Sequence, residues 1–349
     1  MSTAQPLRHD APALEPGVRS DKVAVILNKN AKRVGGRVRR RVLEAAPQAD
    51  VFFTESLEQA RFVSRRVVEM GYGTIVTGGG DGTVANTLHQ ILADHDRLAA
   101  DRPRPRFAVL RLGTGNAVAD FLGARDYAAD LRDLQHAQTI PLGMLKFDGQ
   151  RRATFAGFGW DAYILNNYEQ LKSAADRFGF TRALFKTVAG YLIAGVGKSM
   201  PELVIRRPSW NVRVINTGGV ALRRGPDGEV AERFAPGQTV FEGRTRMACF
   251  GTTPFFGFKF NIMPYAAATP GLFHLRLIDM HPVMAVAKLR SAWNGTMVDA
   301  GLTDLQMSAC RLEFESDAPF QVSGDAAGRR RSLDVAFDGT VDCVHYPRA

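Results

Sequence analysis

Cysteine is scarce in this chain of 349 residues: Cys249, Cys310 and Cys343 are too few and too scattered for a disulfide framework, and no C-x-x-C pair offers a zinc site. That usage fits a reducing cytoplasm. The seven histidines (His9, His89, His95, His136, His274, His281 and His345) show no ligand spacing and are expected on the surface or in satisfied core positions. Long apolar runs are missing too. The best candidate, residues 187–197, is bracketed by Lys186 and Lys198 and falls short of the roughly 18–20 apolar residues that span a bilayer. The first twenty residues, rich in Ala and Pro, lack the apolar centre of a signal peptide and are expected to be disordered. No serine sits in a G-x-S-x-G elbow, and no internal repeat is visible. A soluble or membrane-peripheral protein is therefore expected.

The length exceeds what one hydrophobic core usually serves, so two domains are expected, and 45% apolar residues can fill them. The formal charge of +10 is concentrated in arginine clusters at 37–41, 61–66, 102–106 and 329–331. Such clusters suit an anionic partner, or are solvated faces. Aromatic residues are not interleaved with them, which argues against a nucleic-acid platform.

One stretch organises the rest. Thr74-Ile75-Val76-Thr77 is a β-branched run that stops at Gly78-Gly79-Gly80-Asp81-Gly82-Thr83, and a helical pattern follows over 84–93. Four glycines in five positions free the backbone and bring its N–H groups close to a ligand, so the stretch reads as a phosphate-binding turn. Thr83 is expected to cap the helix, whose N-terminal end would face the same anion. Asp81 would repel a phosphate unless it holds Mg²⁺ or accepts hydrogen bonds from the loop or ligand. A tight strand-to-helix turn with a capping aspartate is the plainer reading. The pattern matches neither G-x-x-x-x-G-K-[ST] nor G-x-G-x-x-G.

Taken in order, residues 22–27 form an apolar strand ending in Asn28-Lys29-Asn30-Ala31-Lys32 and Gly35-Gly36, and residues 51–54 form a second. Ser56 and Gln59 make a capping box for a helix bearing Ala60, Val63, Val67 and Met70 on one face, stopped by Gly71. After the glycine stretch, residues 107–112 form another buried strand, and Gly113-Thr114-Gly115-Asn116 opens a further helix. This order predicts a doubly wound parallel sheet with helices on both sides, and both glycine turns at its C-terminal edge, where ligands bind. From Leu142 the texture changes to short strands. Asp148-Gly149 signals a type I′ hairpin between 144–147 and 152–156. Helical stretches are expected at 162–175 and 181–196. Further strands are expected near 203–206, 212–215, 246–251, 272–278, 310–315, 320–322 and 333–337, which together suggest an antiparallel β-sandwich. Residues 218–239, with Pro226-Asp227-Gly228, read as an inserted hairpin or mobile loop. The apolar face of 178–196, and Phe255, Phe256, Phe258 and Phe260, serve either a core or a membrane interface.

Asn28, Thr54, Gly79-Gly80-Asp81-Gly82-Thr83, Gly113-Thr114-Gly115-Asn116 and Gly157-Phe158-Gly159-Trp160-Asp161-Ala162 together resemble the diacylglycerol kinase catalytic domain family, which includes sphingosine and ceramide kinases and related bacterial lipid kinases. Order and spacing cover nearly the whole chain. The resemblance implies a disordered segment 1–20, a nucleotide-binding α/β domain over 21–141 and a β-sandwich lipid-substrate domain over 142–349, with the C-terminal segment allowed to pack back on the first. It implies ATP and Mg²⁺ as cofactors. Asn28, Thr54, Gly79, Gly80, Asp81, Gly82, Thr83, Val84, Ala85, Gly113, Thr114, Gly115 and Asn116 would bind the nucleotide, and Asp81 would serve catalysis and the metal.

Phosphoryl transfer to an alcohol also needs an acid residue to orient the hydroxyl and accept its proton. Asp325, in Gln321-Val322-Ser323-Gly324-Asp325, stands where the family has Asp-Gly-Glu, with Ser323 in place of the first acid. Other acids are replaced as well: Ala85-Asn86, Asn116-Ala117 and Pro270-Gly271 stand where the family has Asn-Glu, Asn-Asp and a metal-binding Asp-Gly. The expected function is an ATP-dependent lipid kinase acting on a hydroxyl of the diacylglycerol, ceramide or sphingoid type. It would work in the cytoplasm at a membrane surface with anionic phospholipids, without nucleic acid, and with a homodimer left open. Two alternatives stand beside it. An NAD kinase shares Gly-Gly-Asp-Gly-Thr, although its second signature is missing here, and a non-catalytic lipid or nucleotide sensor fits the lost carboxylates.

Overall fold

The computed structural model describes residues 19–31, 34–160, 162 and 208–346. Expectations for the extreme N-terminus, for the helices after Ala162, for the apolar face of 178–196 and for the strand at 203–206 lie outside these residues.

Four strands, β1 (Val23–Asn28), β2 (Asp50–Thr54), β3 (Thr74–Gly79) and β4 (Arg106–Arg111), pair in parallel in the order β2-β1-β3-β4. β3 is buried along its whole length, as a parallel strand covered on both faces should be. The helices between them are α1 (Gly36–Ala45), α2 (Leu57–Glu69) and α3 (Asp81–Leu98); α4 (Ala117–Phe121) and α5 (Tyr127–Asp133) follow β4. α2 starts and stops where its local signals say. The Gln59 N–H donates to Ser56 Oγ at 3.1 Å, the Gln59 side chain accepts from the Glu55 N–H at 2.8 Å, and Gly71 takes φ +68° just past the C-cap. α3 departs from expectation: it begins at Asp81, three residues before the apolar pattern, with Gly80 as its N-cap. Thr83 therefore lies inside the first turn and caps nothing.

The rest of the chain is antiparallel: β5 (Thr139–Phe147), β6 (Arg151–Ala153), β7 (Phe155–Gly159), β8 (Trp210–Asn216), β9 (Ala221–Arg224), β10 (Val230–Phe234), β11 (Thr239–Thr245), β12 (Met247–Gly251), β13 (Phe273–Ile278), β14 (Leu302–Met307), β15 (Ala309–Val322) and β16 (Asp325–Val344), with α6 (Pro282–Ala287) and α7 (Leu289–Trp293) between β13 and β14. The expected domain boundary between residues 141 and 142 falls inside β5. Asp148 and Gly149, at φ +48° and +68°, make the type I′ turn of the β5–β6 hairpin. Residues 218–239 hold the β9–β10 hairpin.

β15 is one strand where two were expected, and it changes partners along its length. Its first half pairs with β8 and its last three residues pair with β7, with a register shift between Glu313 and Ala318. The bend folds two groups of strands face to face. Val212, Val214, Leu312 and Leu333 from one group meet Phe158, Phe250, Leu275 and Leu305 from the other in one apolar cluster. Phe158 stacks on Phe320 at 4.5 Å between ring centroids. β16 runs onward past β5 to touch β4 in parallel at Cys343↔Phe107. It buries Val341, Cys343, Val344 and Tyr346 in the cluster that β1 to β4 share. α3 serves both cores, with Val84 in one and Ala85 in the other.

Candidate functional site

The C-terminal residues of the four parallel strands form a row. Thr54 pairs with Asn28, Gly79 follows Gly78 beside Leu27, and Gly79 pairs with Arg111. Because side chains alternate along a strand, all four positions project to one face of the sheet. Asn28 Nδ2 donates to Thr83 Oγ1 at 3.0 Å, and a Cβ on Gly79 would sit 2.6 Å from Thr83 Cβ. The end of β1 is thus tied to the first turn of α3, and only glycine fits between them.

The two glycine turns touch. A Cβ on Gly113 would lie 2.6 Å from Gly80 Cα and 2.7 Å from Gly79 O, whereas one on Gly80 would meet nothing within 4 Å. The turns make one backbone surface, open above Gly80 and closed beneath. Asn116 holds the second turn from inside. Buried, and left-handed at φ +55°, it accepts from the Gly113 N–H at 2.9 Å and donates to Gly113 O at 2.9 Å. Its side chain is spent on the turn. Val84 and Ala85 face the cores, so only their backbones are available at the site. Thr54 is buried, and Thr114 is half-buried at the tip of the second turn.

Asp81 joins the turns. Its carboxylate lies against Gly115, where a Cβ would be 2.6 Å from Oδ2, and it accepts from the backbone N–H groups of Val118, Ala117 and Asn116 at the start of α4. Although the residue keeps some surface, the carboxyl is enclosed, and burial pushes its pKa up to about 6. The three N–H groups pull against that rise and the Asp120 carboxylate adds to it. The carboxylate thus accepts hydrogen bonds from the loop. Among the described residues no group of three or more His, Cys, Asp or Glu side chains could hold a metal ion.

Asp325 comes from the other end of the chain. Ser323 (φ +51°) and Gly324 (φ +83°) form the two-residue type I′ turn between β15 and β16, with Val322 paired to Asp325. Asp325 is exposed, and its carboxylate presses on Gly82 so closely that a Cβ there would overlap it, with Asp325 Cγ at 2.6 Å. Both acids expected to act are therefore at the glycine turns. The buried Ser323 does not point at them: its N–H and its hydroxyl both go to Phe155 O, at 3.1 and 3.5 Å.

Sequence reasoning missed three neighbours. The segment Gly257-Phe258-Lys259 takes positive φ three times running (+115°, +52°, +59°) and its Phe258 N–H donates to Gly115 O at 2.7 Å, so a strained loop covers the second turn. Its sequence offered only clustered phenylalanines. Phe255, Phe256 and Phe260 pack against a buried cluster with Met263 and Met297, which is the core use of that stripe. Arg111 and Asp120, paired at 3.0 Å, were not singled out either. Of the arginine clusters, the residues of α1 (Arg37, Arg39, Arg40 and Arg41) are exposed near the edge that carries the turns, whereas Arg102 and Arg104 precede β4 at the opposite edge. No helix among the described residues is long and apolar enough to cross a membrane.

Comparison with known proteins gives a likeness over part of the sequence and over the fold. Residues 22–147 match the family model described as diacylglycerol kinase catalytic domain. A crystal structure of a diacylglycerol kinase from Bacillus anthracis str. Sterne superposes with a TM-score of 0.61 at 15% identity, covering 93% of this chain and 97% of that one. A candidate diacylglycerol kinase from the same organism gives 0.66 at 17% identity, covering 96% and 99%. No curated protein matches the sequence. At these identities the structural likeness speaks for the fold alone. The two glycine turns and all four strands of the parallel row lie inside the matched residues, so the part of the chain that is similar to a diacylglycerol kinase catalytic domain is the part that builds the site.

Proposed function

We propose that this protein transfers the γ-phosphoryl group of ATP to a hydroxyl of a membrane lipid alcohol of the diacylglycerol, ceramide or sphingoid type. The observation that carries the reading is the contact of Asp325 with Gly82, which sets an exposed carboxylate against the turn that would cradle the phosphates. A glycine turn alone suits any phosphate ligand. A carboxylate added at its rim by a distant strand suits a reaction in which a hydroxyl must be oriented and deprotonated there.

The residues fit a nucleotide. The surface over Gly80 is open backbone, the N-terminus of α3 points its free N–H groups the same way, and Gly79, Gly82, Gly113 and Gly115 all stand where a Cβ would collide. Mg²⁺ would neutralise charge on the phosphates when bound, held chiefly by them and by one carboxylate, Asp81, since no acidic cluster of its own exists among the described residues. The chain's own residues do the rest. The backbone N–H groups of the two turns position the phosphates, and Asp325 accepts a hydrogen bond from the attacking hydroxyl and takes its proton as the new P–O bond forms and the bond from the γ-phosphorus to the bridging oxygen breaks, releasing ADP. Asp81 keeps the turns in register by bonding the start of α4. The exposed arginines of α1 would draw this edge to an anionic membrane surface.

The test is transfer of label from γ-labelled ATP to a panel of diacylglycerol, ceramide and sphingoid bases in mixed micelles, with NAD in a parallel tube. Labelled lipid supports the reading. Label on NAD alone replaces it with the nucleotide-kinase alternative, and ATP binding with no product in any tube replaces it with a sensor.

A further inference from the structure

We propose that Arg111, held by Asp120, is a further nucleotide-binding residue that contacts the phosphate chain. The inference rests on the reading that ATP binds over the glycine turns. Arg111 completes the row Thr54, Asn28, Gly79 along the C-terminal ends of the parallel strands, and is paired with Gly79 itself. It is the cation on that row. Its side chain is about one-third exposed, so it is neither buried as a strut nor lost in solvent.

What fixes it is Asp120. This aspartate, on the first turn of α4, has a side chain only 2% exposed. Its Oδ1 accepts from Arg111 Nε at 3.0 Å, and its Oδ2 is buried without a partner among the described residues. Burying a carboxylate costs several kcal/mol unless a cation stands beside it. Asp120 also adds to the field that raises Asp81. Arg111 is therefore the charge that makes Asp120 tolerable, and Asp120 in turn holds the guanidinium beside the glycine turns.

The geometry leaves the useful end of the guanidinium open. Only Nε is engaged, and neither Nη1 nor Nη2 bonds a described residue. Those two nitrogens form the fork that matches two oxygens of a phosphate, and an arginine already fixed by a carboxylate loses less freedom on binding than a solvated one. A metal site that includes Asp120 explains less, because Asp120 is committed to Arg111.

The test compares ATP and adenosine, with Mg²⁺ present. ATP affinity is measured by titration calorimetry and adenosine contact by saturation-transfer NMR, for the parent, Arg111→Ala, Arg111→Gln and Arg111→Lys. Thermal unfolding selects the variants that fold. Loss of one fork should weaken ATP at least about tenfold, as expected for a charge-assisted hydrogen bond to an ionised group, and leave adenosine unchanged. Arg111→Lys should fall between. ATP binding at the parent value in a folded Arg111→Ala or Arg111→Gln protein overturns this inference alone. Equal weakening of ATP and adenosine overturns it too, since Arg111 would then only brace the turn. A parent protein that binds no ATP takes down the nucleotide reading and this inference together.

Discussion

Asp325, the first residue of β16, rests its carboxylate on Gly82 in the first turn of α3, where a Cβ would overlap it. One residue opens the longest strand of the antiparallel part and the other belongs to the parallel part. The contact therefore reports on how the two halves are docked as well as on chemistry.

Asp325→Asn keeps size and removes the base. On the best lipid acceptor kcat should fall by about 10² to 10⁴, the usual contribution of a general base, with ATP affinity close to the parent's because the phosphate cradle is untouched. Asp325→Glu should keep part of the activity, since an exposed side chain at a turn has room to swing. Steady-state kinetics with ATP and lipid varied separately check both, and a parent-like kcat for Asp325→Asn would place the base elsewhere.

Gly82→Ala attacks the same contact from the other side. The new methyl overlaps the Asp325 carboxylate, which must move. Because Gly82 is helical and alanine is the better helix former by about 1 kcal/mol, the melting temperature should hold or rise while kcat falls at least tenfold. A variant that is both stable and fully active would show that the Asp325 position is unimportant.

Asp81 makes stability depend on pH with a definite sign. Its folded pKa, about 6, lies above the unfolded value of 3.8, so the folded state binds the proton more tightly. Stability from this group is fully present below about pH 4 and is lost as pH rises through 6. Asp304 does not confuse the window, because its pKa is lowered to about 2 and its contribution disappears only as pH falls below 3.8. Melting curves from pH 4 to 7.5 should show Asp81→Asn gaining on the parent as pH rises. A constant difference between the two would mean that Asp81 does not titrate there.

Arg276 is 1% exposed and makes a two-pronged pair with Asp304, Nε to Oδ1 at 2.6 Å and Nη2 to Oδ2 at 2.9 Å, with His274 Nε2 on the same Oδ1 at 2.8 Å. Burial holds His274 below its ordinary pKa, although the Asp304 carboxylate pulls the other way. Asp304→Ala strands a buried guanidinium, so urea unfolding should show a loss of about 3–5 kcal/mol. A loss under 1 kcal/mol would mean that the site opens to water.

Ser323 stands where the resembled family carries an acid. Restoring the acid that the family carries there looks helpful on sequence alone, but position 323 is buried with its hydroxyl on the Phe155 carbonyl. A carboxylate would face that oxygen without a donor. Ser323→Asp should therefore lower the melting temperature and bring no activity, which a melt and a kinase assay would check side by side.

Features decided within a few residues could be read along the chain. The α2 cap at Ser56, its stop at Gly71, the Asp148-Gly149 hairpin and the two strand-turn-helix units with their glycines are local, because each is fixed by φ, by a short side-chain bond or by an apolar period. Asp325 was legible from its motif. The rest depended on packing between distant segments. β15 became one bent strand because β8 and β7 claim its two ends, and β11 and β14 exist because partners complete them. Thr83 left the cap position because α3 winds back to Asp81 against Gly115. Asn116 turned inward, and Arg111 with Asp120 became a pair, through contacts whose energy comes from burial. Burial is a property of neighbours far along the chain, and no local pattern of residues encodes it.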